Sequence, residues 1–135
     1  NPVLNNLDVI FEAFRTGRAA ISNKDYTKRD EAVNTIRTEW EKIIAANIVT
    51  YINEIKADMA ANDTGKKFHH WAEGRGFAMC LKYHVAKAIS SADITTVEAA
   101  FGSKPDDVVS ASGFDGALTI LKNTYGFTDA QMTSF

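Results

Sequence analysis

The chain of 135 residues has few of the residues that interrupt helices or cross-link a fold. Proline occurs only at Pro2 and Pro105, which leaves a long middle section free to form uninterrupted helix. The one cysteine, Cys80, excludes a disulfide bond within the chain. No apolar run is long enough to span a bilayer, so the sequence predicts no transmembrane segment.

An excess of charge of one sign is also missing. Fifteen Lys and Arg residues stand against seventeen Asp and Glu residues, which gives a net charge of -2. Binding to nucleic acid through its phosphates requires a basic face, so we predict no nucleic-acid partner. The chain also lacks a phosphate-binding glycine loop, a nucleophile elbow and a CxxC pair. We therefore predict a protein that is not an enzyme, and a metal-dependent hydrolase is disfavoured.

The spacing of apolar residues predicts helices along the whole chain. Hydrophobic residues make up 45% of the sequence, and in several segments they recur every 3.6 residues. Long helices are predicted at about 2–21, 27–61 and 65–90, and shorter ones follow, the last ending at Gly126. The expected N-terminal caps are Thr27 with Asp30, Asp63 or Thr64, and Thr95 with Glu98. No segment alternates at period two, so the prediction is an all-α bundle: one domain over 1–135 with three long helices plus shorter C-terminal helices.

A narrow polar row interrupts the apolar surface of the third predicted helix. Because that helix is apolar on nearly every other side, we expect it to be central and buried. Gly76 lies in the same row and leaves room for the close approach of another helix or a ligand. The polar residues of the row are His69, Glu73, Cys80, His84 and Lys87.

One interpretation of this row is a metal site. His69 lies four residues before Glu73 and His70 three, so an imidazole and a carboxylate could reach one ion, such as zinc or iron. Cys80 and His84 are possible accessory ligands. Seven residues of helix span roughly 10 Å, however, so one helix supplies at most half of such a site.

The other interpretation is a buried polar cluster without chemistry. A buried carboxylate needs a charged or hydrogen-bonded partner, and Arg18 of the first helix could supply it in an Arg18–Glu73–His69 cluster. In that case Cys80 is a packed thiol and His84 a partner of a helix end. The two tryptophans, Trp40 and Trp71, lie on apolar faces and are predicted to be core residues.

Three stretches carry a resemblance to a known family: residues 14–53, 69–83 and 125–127. They resemble the C-terminal half of an uncharacterised all-helical family of bacterial secreted lipoproteins, loosely related to imelysin-like iron-regulated proteins. Ala72 replaces the serine of the family pattern, which removes a hydroxyl beside Glu73. The positions that match the pattern are Gly17, Arg18, Ala20, Ile21, Trp40, Glu41, Ala45, Ala46, Tyr51, Asn53, His69, Glu73 and Phe77.

The resemblance implies a periplasmic or cell-surface location and a further helical half before residue 1. The expected partner is therefore another helical half or a self-associating copy of the chain. Two functions stay open at this point. One is a non-enzymatic binding domain that holds a metal or small ligand in iron-related physiology, and the other is a structural or interaction module.

Overall fold

The computed structural model describes residues 5–84 and 87–135. These residues form six α-helices and, between them, short 3-10 turns, with no strand, so the predicted all-α class is confirmed. The predicted start of the first helix at Pro2, and residues 85–86 of the predicted third helix, lie outside the described residues. The helices are α1 (Asn6–Ser22), α2 (Tyr26–Ala61), α3 (Thr64–Cys80), α4 (Ser91–Phe101), α5 (Asp115–Tyr125) and α6 (Asp129–Ser134).

Aspartate side chains begin the two helices that follow sharp turns. The carboxylate of Asp25 accepts a hydrogen bond from the backbone N–H of Lys28 at 3.1 Å and caps α2. The predicted cap at Thr27 is therefore wrong, because α2 already begins at Tyr26. Asp63 caps α3 in the same way through the N–H of Lys66, as predicted, and this bond lowers the pKa of Asp63. At the other end of the chain, Gly126 ends α5 in the left-handed conformation, also as predicted.

The third helix is shorter than the sequence predicts. It ends at Cys80, a 3-10 turn follows over Leu81–Tyr83, and His84 is extended. The side chain of His84 and the backbone N–H groups of Ala88 and Ile89 instead contact a buried carboxylate on α2, which is described below. Helix α4 then starts from Ser90, whose hydroxyl accepts from the N–H of Asp93, so the predicted Thr95/Glu98 cap is wrong.

The hydrophobic core surrounds only the C-terminal half of α2. This helix has 36 residues and is therefore about 54 Å long. Helix α3 packs antiparallel against its second half, and α4, α5 and α6 close the remaining sides. The larger core side chains are Ile48, Val49, Ile52, Ile55, Leu81, Ile89, Ile94, Val97, Phe101, Phe114, Leu121 and Phe127.

Close backbone approach fixes α3 in this core at Gly74. A Cβ atom on Gly74 would come within 2.8 Å of the Phe101 ring and 2.9 Å of Tyr51 Cβ. By contrast, a Cβ atom on Gly76 would meet nothing within 4 Å. The glycine that permits close packing is therefore Gly74, and not Gly76 as the sequence suggested. Helix α2, and not α3, is the central helix.

The N-terminal half of α2 pairs with α1 in a hairpin that has almost no core. Helix α1 packs on this half of α2 and makes no comparable contact with another described helix. Small residues form the contact: Ala13, Ala20 and Ala32 are its buried apolar side chains, and a Cβ atom on Gly17 would lie 3.3 Å from Ala32. The helices thus approach closely but bury little apolar area.

Candidate functional site

The uncovered side of the α1–α2 hairpin carries large apolar side chains. On α1 they lie about a quarter turn away from the alanines that contact α2, so α2 does not cover them. Trp40 of α2 belongs to the same surface and is exposed, so its predicted place in the core is wrong. We call this set the hairpin face: Leu7 (82% exposed), Phe11 (63%), Phe14 (59%), Ile21 (56%) and Trp40 (57%).

A groove of about 360 Å³ runs between the two helices on this side. Its walls are Phe14 and Ile21 from α1 and the half-buried Val33 and Ile36 from α2. The residues that line the groove include Arg18 and Arg29 and no Asp or Glu. The groove is therefore apolar along its floor and basic at its rim.

His69 and Glu73 come together on α3, but on its surface. Nε2 of His69 lies 3.7 Å from Oε2 of Glu73, and the two side chains are 65% and 41% exposed. The carboxylate of Glu73 is also close to Tyr51 of α2, and its interaction with the phenol, together with burial, raises the pKa of Tyr51. The pair is a solvent-exposed i, i+4 contact rather than a buried centre.

His70 points to a different group of carboxylates. Its Nδ1 lies 2.6 Å from Oδ2 of the buried Asp58, and its Nε2 lies 3.2 Å from Oε2 of Glu54. The ring thus bridges two α2 side chains that are four residues apart, which ties α3 to α2. Because His69 faces solvent while His70 faces α2, the adjacent histidines do not converge.

Arg18 does not join His69 and Glu73. It is exposed on α1, which packs on the N-terminal half of α2, whereas Glu73 lies on α3 beside the C-terminal half. The predicted buried cluster of Arg18, Glu73 and His69 is therefore not formed. The prediction assumed that α1 and α3 are neighbours, but the length of α2 keeps them apart.

Cys80 and His84, the other possible ligands in the predicted polar row, do not lie beside His69 and Glu73 in one site. Cys80 is exposed and not a packed thiol; with Glu73, Gly76 and Phe77 it lines a shallow depression of about 280 Å³. His84 leaves the row because α3 ends before it. Within residues 5–84 and 87–135, no three His, Cys, Asp or Glu side chains form a group that could hold a metal ion.

A buried polar centre that the sequence did not predict lies at Glu41 of α2. Glu41 is 1% exposed, and its Oε1 accepts from the hydroxyl of Tyr125 at 2.8 Å and from the N–H of Ala88 at 2.9 Å. Its Oε2 lies 2.9 Å from Nδ1 of His84, but the two atoms do not form a hydrogen bond. Burial and the bond to Glu41 raise the pKa of Tyr125.

Glu41 therefore links parts of the chain that are far apart in sequence. Its Oε1 accepts from the N–H groups of Ala88 and Ile89 and from the hydroxyl of Tyr125 at the end of α5, whereas its Oε2 accepts no hydrogen bond among the described residues. Only its place in the family pattern, beside Trp40, marked it in the sequence. Periodicity could not, because one carboxylate on a long helix is normally solvated.

These features define an all-helical domain with an enclosed polar centre and a bare apolar hairpin. The chain belongs to an uncharacterised family, the Domain of unknown function (DUF4856), which matches residues 4–102. No curated protein and no solved structure shows a significant match. The match covers α1 to α4 and leaves out 125–127, and it does not connect the chain with imelysin-like proteins or lipoproteins. No helix in the described part of the chain has the length and apolar character needed to cross a membrane.

Proposed function

We propose that the protein is a non-enzymatic helical interaction domain and that the hairpin face is its working surface. The observation that carries this proposal is the exposure of Leu7, Phe11 and Phe14, each more than half exposed on one side of α1. Contiguous apolar surface of this kind marks protein contact sites, because leaving it in water costs free energy. A partner helix that covers the face removes this cost.

The weak attachment of α1 supports the same proposal. A helix of 17 residues is marginally stable by itself in water, and apart from Asn6, which donates a hydrogen bond to the backbone of Glu39, α1 buries only alanine side chains against α2. The large apolar side chains of α1 therefore contribute only part of what their burial could contribute to the stability of the isolated chain. They contribute the rest once a partner packs against them.

The test is binding of the dye anilinonaphthalene sulfonate, which fluoresces on exposed apolar surface. The variant Phe11→Gln/Phe14→Gln is expected to lose most of the dye fluorescence of the parent protein. The matched control, Tyr83→Gln/Val109→Gln, removes two exposed apolar side chains outside the hairpin and is expected to keep it. Equal fluorescence in all three proteins, or none in the parent at concentrations at which it is monomeric, would refute the proposal.

A second candidate function is the holding of a metal or small ligand, with zinc or iron as the cofactor. The observation in its favour is the exposed His69–Glu73 pair at 3.7 Å, which leaves room for ligands from a partner. Elemental analysis of the gently purified protein, the His69→Ala variant and the His69→Ala/His70→Ala variant tests it. Near-stoichiometric metal that disappears with His69 supports this function. No metal in any of the three proteins would contradict it.

We also propose an extracytoplasmic location, either periplasmic or at the cell surface, together with a distant relation to imelysin-like iron-regulated proteins. Both rest on the resemblance of the sequence pattern alone. Fractionation of cells that express the native gene tests the location. Recovery of the protein with the cytoplasmic fraction would contradict it.

A further inference from the structure

The exposed side chains of α1 follow the spacing of a helix–helix seam. Leu7, Phe11 and Phe14 are separated by four and three residues, and Ile21 follows one heptad after Phe14. Repetition at 3.5 residues is typical of a helix that packs lengthwise against another helix. Arg18 occupies the one position of this seam within α1 that is not apolar. Since α2 contacts α1 through Ala13 and Ala20, the seam is a second contact surface of α1.

The charges of α1 are divided between its two ends. Its N-terminal half carries Asp8 and Glu12, and its C-terminal half carries Arg15 and Arg18. Asp8 and Arg15 are one heptad apart, so they lie on the same flank of the seam. Each half holds charges of one sign only, but Glu12 and Arg15 pair with each other at 2.7 Å, so Asp8 and Arg18 carry the division of charge that another helix can meet.

This division makes α1 complementary to a copy of itself in one orientation. When two copies of α1 pair antiparallel about a two-fold axis, the acidic half of each lies beside the basic half of the other. Parallel pairing would instead place like charges together at both ends, which is unfavourable. The order of charges along α1 therefore selects the antiparallel arrangement.

We propose that the hairpin face binds a second copy of this chain, with the two α1 helices antiparallel. This inference rests on the proposed function and names its partner. The groove beside Phe14 and Ile21 receives apolar side chains of the partner seam, and its rim includes Arg18, which faces the acidic half of the partner helix. Because α1 spans little more than two heptads, the dimer is expected to be concentration-dependent.

Charge reversal with a mixing step tests this proposal. The acid-reversed variant is Asp8→Lys and the base-reversed variant is Arg18→Glu, which leave the Glu12–Arg15 pair within α1 intact. Sedimentation of the parent protein is expected to show dimers that increase with concentration, and each variant by itself is expected to associate at least tenfold more weakly. An equimolar mixture of the two variants is expected to regain the parent affinity, because the opposite charges face one another again.

Controls separate charge effects from misfolding. Asp106→Lys changes the net charge as much as Asp8→Lys does but lies outside α1, so its dimerisation is expected to match the parent. Circular dichroism of every variant confirms its helical content. Recovery in the mixture also requires that both variants fold, since misfolded chains would not regain the parent affinity.

Three results would overturn the proposal. If the parent is monomeric at all concentrations but binds the dye, the occupant is not a second copy, although the hairpin face remains a contact surface. If the parent is monomeric and binds no dye, both this inference and the proposed function fail. If the parent dimerises but neither reversal weakens it, the contact does not involve the α1 seam.

Discussion

The carboxylate of Glu41 joins three parts of the chain that are far apart in sequence. It contacts His84 after α3, the backbone at Ala88 and Ile89, and Tyr125 at the end of α5. A buried carboxylate with these partners restricts the local geometry, because any displacement leaves a charge or a donor unpaired. This accounts for the end of α3 at Cys80.

Tyr125 gives this centre a measurable pH dependence. Its pKa is raised in the folded protein and returns to about 10 on unfolding. The stability it contributes is therefore fully present below about pH 10 and is lost as the pH rises towards the folded pKa. We expect helical circular dichroism to fall above about pH 10, together with ionisation of Tyr125.

The variant Tyr125→Phe is the control for this prediction. Without the phenol, the free energy of unfolding should fall by about 1–3 kcal/mol at neutral pH, because Glu41 loses a hydrogen-bond donor. Its stability should then depend less steeply on pH in the alkaline range. An alkaline transition as steep as that of the parent would show that Tyr125 does not carry the effect.

The sequence allowed the roles of some residues to be predicted, but not the partners of others. The Asp63 cap and the Gly126 helix end follow from local backbone chemistry, which a short window of sequence contains. The pairing of Glu41 with His84 and Tyr125 does not, because it depends on contacts between residues 43 and 84 positions apart. Spacing alone could not decide whether His69 or His70 pairs with Glu73, because tertiary packing turns His70 towards Asp58 of α2 and leaves His69 beside Glu73.

In α3, tertiary packing determines both the length of the helix and the roles of its two glycines, Gly74 and Gly76. Its sequence reads as a helix up to residue 90, yet the contacts of Glu41 end it ten residues earlier. Its two glycines look alike in the sequence but differ in the structure, since only Gly74 lies against α2 and α4.

The two glycines therefore give a matched pair of variants. Gly74→Ala should lower the free energy of unfolding by about 1–3 kcal/mol, because its Cβ would overlap Phe101 and Tyr51. Gly76→Ala meets no neighbour and should be neutral or stabilising by up to about 1 kcal/mol, as alanine favours helix. Denaturant unfolding of both variants measures this. A larger loss for Gly76→Ala than for Gly74→Ala would contradict the packing described for α3.

The molecule as a whole is divided along α2 into a packed half and a bare half. The packed half encloses the core of α2 to α6, whereas the hairpin of α1 with the start of α2 keeps its large apolar side chains in water. Apolar periodicity correctly predicted that α1 has an apolar face. It could not predict what covers that face, because a repeat of 3.5 or 3.6 residues describes one helix and not its neighbour.

The central claim is that α1 depends on a partner that covers the hairpin face. Hydrogen–deuterium exchange of the α1 amides over a range of protein concentrations tests it most directly, with the amides of residues 45–55 as the internal reference. We predict rapid exchange in α1 at low concentration and increasing protection at high concentration, while exchange at 45–55 stays slow and unchanged. Protection of α1 that equals that of 45–55 even at the lowest concentration would contradict the claim, and rapid exchange at every concentration would contradict pairing with a second copy.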